Sequence, residues 1–278
     1  MFSTSEIIES YKNFLEVKYQ AHYQRFCNHF KDKPKSAKAE AVVFSLMRSI
    51  FRDVKIGEDI SSGGADFLCI SDDGQFIIEV TSLEAESVAN QSGLKNGITE
   101  DGAAGWFGMI THMLRTKASS KARQVSGYPI PRVLAITTEH IGADFLLGPH
   151  GAETLLTSDT KIEVPIGEPI GETNLVTDLK NSVFFRLKNG ALESCRRSIS
   201  AILLISIYSD KALFVGILHP DPEHKFTIGL LPSVPFLRIR KWPPENNQIE
   251  TEWVIRRPKP AEFYHREVKF KDEELRSI

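Results

Sequence analysis

Apolar side chains recur at helical spacing over residues 5–30, at Ile8, Tyr11, Phe14, Leu15, Tyr19, Tyr23 and Phe26, and predict one long first helix with Ser3 or Ser5 as its N-cap. Lys31-Asp32-Lys33-Pro34-Lys35 interrupts the pattern, and a second helix capped by Ser36 is expected to run to about Phe51. On that helix Glu40 precedes Val43, Met47 and Ile50 by helical steps, which puts its carboxylate on the inward stripe. At the solvent edge of the stripe it would instead complement the helix dipole.

The period then changes to that of strands. Residues 53–60 read as a first strand, and the glycine-rich turn Ser61-Ser62-Gly63-Gly64 leads into Ala65-Asp66-Phe67-Leu68-Cys69-Ile70. A tight turn at Asp72-Asp73-Gly74 precedes Gln75-Phe76-Ile77-Ile78-Glu79-Val80-Thr81. Alternation puts Asp66 with Leu68 and Ile70, and Glu79 with Ile77 and Thr81. Each strand thus carries one carboxylate in an otherwise oily run. Such a group is costly to desolvate, and a divalent cation is a common compensator for two of them.

Residues 82–105 turn polar and glycine-rich, the composition of a long loop. A helix over 106–125 follows. Met113, Leu114, Lys117, Lys121 and Gln124 all fall within about 60° of Ile110 on it, so the inward stripe turns from apolar to polar along its length. Lys117 and Lys121 could also snorkel or answer the C-terminal dipole; His112 lies opposite. Residues 132–137 read as a fourth strand, and the helix between strands three and four is the crossover that a parallel pair needs. Further on, 139–156 reads as a helix interrupted at Gly148-Pro149, 161–173 as loop and 191–198 as a helix. Two convincing strands follow at 201–208 and 212–218. The expected fold class is α/β, with a core in residues 1–138 and a C-terminal extension or second α+β domain in 139–278.

Composition changes this picture little. The 278 residues include 34 Lys plus Arg against 36 Asp plus Glu, a net charge of −2, which neither favours nor excludes a nucleic-acid partner. Three distant cysteines fit a reducing cytoplasm, and no apolar run approaches membrane-spanning length, so no membrane partner is expected.

The order helix with Glu40, meander with Asp66 beside a glycine turn, Ile78-Glu79-Val80-Thr81, helix, strand resembles the PD-(D/E)XK nuclease superfamily over roughly residues 36–138. The resemblance implies a restriction-endonuclease-like core (αβββαβ, a mixed central sheet flanked by helices). It implies Asp66 and Glu79 as ligands of Mg²⁺ or Mn²⁺, with the carbonyl of Val80 and the carboxylate of Glu40 in support. It further implies hydrolysis of phosphodiester bonds, in DNA rather than RNA, in a restriction or phage-defence setting. The superfamily's lysine belongs two residues after Glu79, where this chain has Thr81. Either catalysis is lost, leaving a module that binds nucleic acid or a protein partner, or the charge comes from the following helix. Lys121, with Gln124 one turn on, is the first candidate donor and Lys117 the second. Gln124 and Tyr128 resemble the QxxxY element of RecB-type nucleases. Arg238, Arg240, Lys241, Trp242, Trp253, Arg256, Arg257 and Lys259 mix basic and aromatic groups suited to nucleic acid or to the outer faces of edge strands. A protein partner for the C-terminal half and a homodimer both remain open.

Overall fold

The computed structural model describes residues 4–51, 53–61, 63–96, 107–140, 142, 146–157, 160–163, 174–177, 182–189, 191–208, 211–243 and 249–254. Three helices come first: α1 (Thr4–Lys18), α2 (Gln20–Asp32) and α3 (Pro34–Ile50). They lead into β1 (Asp53–Ile56), β2 (Phe67–Ser71) and β3 (Gly74–Leu83). Next come α4 (Ala85–Ser92), α5 (Phe107–Gln124), β4 (Arg132–Thr138) and α6 (Pro149–Thr157). Eight strands follow, with a 3-10 turn at Ile228–Leu230 before the last two: β5 (Thr160–Glu163), β6 (Asn174–Thr177), β7 (Phe185–Lys188), β8 (Ala191–Ser194), β9 (Ala201–Tyr208), β10 (Lys211–Leu218), β11 (Phe236–Ile239) and β12 (Thr251–Val254).

One mixed sheet of eight strands, in the order β1-β2-β3-β4-β9-β10-β11-β12, organises the α/β fold. β1, β2 and β3 form an antiparallel meander, whereas β4 lies parallel to both β3 and β9. α5 makes the crossover from β3 to β4. Helices cover both faces, and strand alternation sorts the core accordingly. Ile78, Leu203 and Ile205 join Tyr11, Phe14 and Phe44 of the N-terminal helices, while Ile77, Leu134 and Ile136 join Ile110 and Leu114 of α5 and Leu155 of α6. Two additional two-stranded ribbons are formed by β5-β6 and β7-β8.

Several sequence expectations are corrected. The single helix over 5–30 is two helices, broken at Tyr19, whose backbone leaves the helical region (φ −144, ψ 57). No glycine or proline forces that break; packing does. α1 buries Ile7, Tyr11, Phe14 and Leu15, and α2 turns so that Phe26 meets the Tyr11 ring edge-on at 4.9 Å. α3 starts at Pro34 with Lys33 as N-cap, so Ser36 is no cap. The loop over 82–105 contains α4, ended by Gly93 in the left-handed conformation (φ 78); residues 97–106 lie outside the described residues. The helix expected over 191–198 is strand β8, paired with β7. Asn189-Gly190 between them is a hairpin-turn signal, and Asn189 has the positive φ of 51 that such a turn uses.

Candidate active site

Where β2 ends short of β3, the sheet opens into a cleft of about 290 Å³. Its lining includes Tyr11 of α1, Glu40 of α3, Glu58, Asp66, Glu79 and Val80 of the meander, and Lys121 and Gln124 of α5. The last β2–β3 pair is Phe67 with Ile78. Beyond it, the amide of Val80 has no strand partner on that side and donates instead to Asp66 Oδ2 at 2.6 Å. In an extended strand the N–H and C=O of one residue point the same way, so the Val80 carbonyl also turns to the Asp66 side.

Glu79 projects from the opposite face of β3, with Ile77 toward α5, and is 1% exposed. Lys121 Nζ donates to its Oε1 at 2.6 Å, and Oε2 is buried with no hydrogen-bond partner. Burial raises the Glu79 carboxyl above the usual carboxylate range, opposed by the Lys121 ammonium. Asp66 is raised well above that range, first by burial and then by the charges of Glu79 and Glu40. Both acids thus resist ionising, and one of them keeps a buried oxygen with no hydrogen-bond partner.

The turn that presents Asp66 is held from α5. Gln124 accepts from Lys121 Nζ at 2.9 Å through Oε1 and donates to the Gly64 carbonyl at 3.1 Å through Nε2. The Tyr128 hydroxyl, past the end of α5, accepts from the Ala65 amide at 2.9 Å. Gly64 has φ +139, and a Cβ there would stand 2.5 Å from that hydroxyl, so glycine suits both the conformation and the close approach.

Of the residues expected from sequence, Asp66, Glu79, Val80, Lys121, Gln124 and Glu40 meet in this cleft. Glu40 is fixed by the buried Tyr11, whose hydroxyl donates to its Oε1 at 2.7 Å, with His29 Nδ1 3.8 Å from its Oε2. Lys117 does not line the cleft; burial and the Lys121 charge lower its pKa. α5 buries Ala118, Ala122 and Val125 as well, so its apolar face persists to the end and the two lysines stand at its edge. Sequence reasoning missed His22, Arg25, His29 and Lys33, which line the outer wall. Their spacing of three, four and four marks one face of α2, a polar stripe that a search for apolar periodicity passes over.

Among the described residues there is no group of three or more His, Cys, Asp or Glu side chains spaced to hold a metal ion, and no helix is long and apolar enough to cross a membrane. The basic-aromatic stretch after β10 behaves as an edge: Arg238 pairs with Glu252 and Arg240 with Glu250, and Trp253 Nε1 donates to Glu153. Arg256, Arg257 and Lys259 lie outside the described residues. No family model, curated protein or solved structure matches the chain.

Proposed function

We propose that the chain is a metal-dependent nuclease with a restriction-endonuclease-like core, hydrolysing phosphodiester bonds in DNA as part of restriction or phage defence. The observation that carries this is the 2.6 Å bond from Lys121 to Glu79. It puts an ammonium at the strand glutamate, the charge that the superfamily pattern asks for and Thr81 cannot supply.

The donor set fits a hard cation. Asp66, Glu79 and Val80 line one cleft, and two carboxylates with a backbone carbonyl make an Mg²⁺-type set once water completes it. Bound there, Mg²⁺ or Mn²⁺ would lower the pKa of an attacking water and neutralise charge growing on the scissile phosphate. The chain's own residues prepare the rest. Lys121 opposes the burial that raises the Glu79 carboxyl and presents positive charge where an anionic phosphate must approach. Gln124 and Tyr128 fix the Gly64-Ala65 turn and so the position of Asp66, and Tyr11 fixes Glu40 beside it.

A second reading, a nuclease-fold module that binds nucleic acid or a protein without cutting, is favoured by Thr81, which stands where the superfamily's lysine belongs. One experiment separates the two. Purified protein is incubated with single- and double-stranded DNA and Mg²⁺ or Mn²⁺, alongside Asp66→Ala and Glu79→Ala. Cleavage by wild type that both variants lose, with their circular dichroism unchanged, supports the nuclease. Absence of cleavage under either metal, or variants that cut like wild type, overturns it.

A further inference from the structure

The outer wall of the cleft is cationic while its floor is acidic. Arg25, His22 and His29 come from one face of α2, Lys33 from the α2–α3 junction and Lys121 from α5, around a floor of Glu40, Glu58, Asp66 and Glu79. Arg25 pairs with Glu58 at 2.8 Å while its side chain stays half exposed, at 51%, so its guanidinium remains accessible to another acceptor. His22 Nε2 lies 2.9 Å from the Glu58 carbonyl, anchoring this part of α2 to the meander. Arg25 and Lys33 thus place positive charge on the α2 side of a cleft that also holds the acids, and an anion entering there meets that charge.

The dimensions restrict that anion. A cleft of about 290 Å³ lies at the lower end of small-ligand pockets, roughly 300–1,000 Å³, room for about one nucleotide unit. Tyr11 and Leu15 of α1 and Phe26 of α2 are in its lining. A cavity of that volume admits one nucleotide unit of a single strand but not the width of a base-paired duplex.

We propose that the α2 wall, with Arg25 and Lys33 as its principal cations, is a backbone-phosphate subsite for a single DNA strand, holding the phosphates that flank the bond presented to Asp66 and Glu79. The inference rests on the nuclease reading for the identity of that bond, but strand binding is measurable without cleavage. Binding of full-length protein to a short fluorescein-labelled oligothymidylate, and to the same oligonucleotide annealed to oligoadenylate, is followed by anisotropy in EDTA over a salt series. Arg25→Ala/Lys33→Ala is compared with wild type and with a control, Lys55→Ala, on the edge strand β1. All replaced side chains are exposed, and thermal melting checks the fold.

Wild type is expected to prefer the single strand by at least tenfold. The double variant should lose tenfold or more of that affinity, and its plot of log K against log salt should be less steep by about 1.4, at about 0.7 per lost phosphate contact on a single strand. The control should follow wild type. Equal affinity for duplex and single strand, or an unchanged salt slope in the double variant, overturns the inference. If that happens while Mg²⁺-dependent cleavage persists, the nuclease reading stands alone. If the binding pattern holds but no metal supports cleavage, the subsite stands and the nuclease reading falls.

Discussion

Replacing Lys121 by methionine keeps an apolar stem of similar length and removes the ammonium from Glu79. Glu79 is 1% exposed and its Oε2 already lacks a partner, so the variant strips the side-chain donor from a buried carboxylate. At the observed 2.6 Å, unit charges attract by roughly 6 kcal/mol at an effective dielectric of about 20. Desolvation of both groups cancels much of this. Because the lysine side chain keeps 27% exposure, the net is nearer that of a charge-assisted hydrogen bond, about 1.5–3 kcal/mol. The lost bond to Gln124 is exposed and adds less than about 1 kcal/mol. Urea unfolding at neutral pH in EDTA should therefore show Lys121→Met destabilised by about 2–3 kcal/mol. The same change in a Glu79→Gln background should cost much less, giving a coupling of about 1.5 kcal/mol or more. On the nuclease reading, cleavage with Mg²⁺ should fall by roughly 10²-fold or more in Lys121→Met. Stability within about 0.5 kcal/mol of wild type, with additive single effects, would show that the ammonium does not sustain an ionised Glu79.

Two further outcomes follow from the same geometry. Burial and the neighbouring Glu79 and Glu40 charges raise the Asp66 carboxyl, so the folded chain holds that proton more tightly than the unfolded chain. Its contribution to stability is present in acid and is lost as pH rises from the unfolded value, about 4, through the raised folded one. Asp66→Asn removes this dependence and should melt higher than wild type at neutral pH in a chelator, the gap closing in acid; a gap independent of pH refutes it. Gly64→Ala puts a Cβ 2.5 Å from the Tyr128 hydroxyl at a positive φ, and should destabilise by about 1–3 kcal/mol. Tyr128→Phe, losing the bond from the Ala65 amide, should cost about 1 kcal/mol alone. Combined, the two should cost less than their sum in urea unfolding, because the phenylalanine relieves the overlap; strict additivity contradicts the contact.

The meander and the crossover helix were legible because their signals are local: period-two alternation, a turn at Asp72-Asp73-Gly74, and an amphipathic run between two apolar strands. The meeting of Asp66, Glu79, Lys121 and Gln124 was legible from the faces that those periods define. What stayed hidden depends on packing between distant segments. The break at Tyr19 follows from the Phe26–Tyr11 contact rather than from any breaker residue. That break swings α2 over the cleft and brings His22, Arg25, His29 and Lys33 to it. The pairing of β9 with β4 joins segments more than sixty residues apart in sequence, which no window of periodicity can sense. β8 was misread because Ala191 to Ser194 lacks alternation and its hairpin depends on the turn before it.

Thr81 sharpens what a motif can and cannot say. It shares the Glu79 face of β3, two residues on, and is 7% exposed, opposite Ile136 in the β3–β4 register. A lysine there would have to carry its charge along the apolar layer between sheet and α5 to reach solvent or a carboxylate. Here α5 crosses the same face, with Ala118 and Ala122 buried against the sheet and Lys121 at the rim, where its ammonium keeps contact with water and still reaches Glu79. A helix edge brings positive charge to Glu79 without burying an ammonium at position 81, so a charge at that carboxylate does not depend on a lysine two residues on along β3.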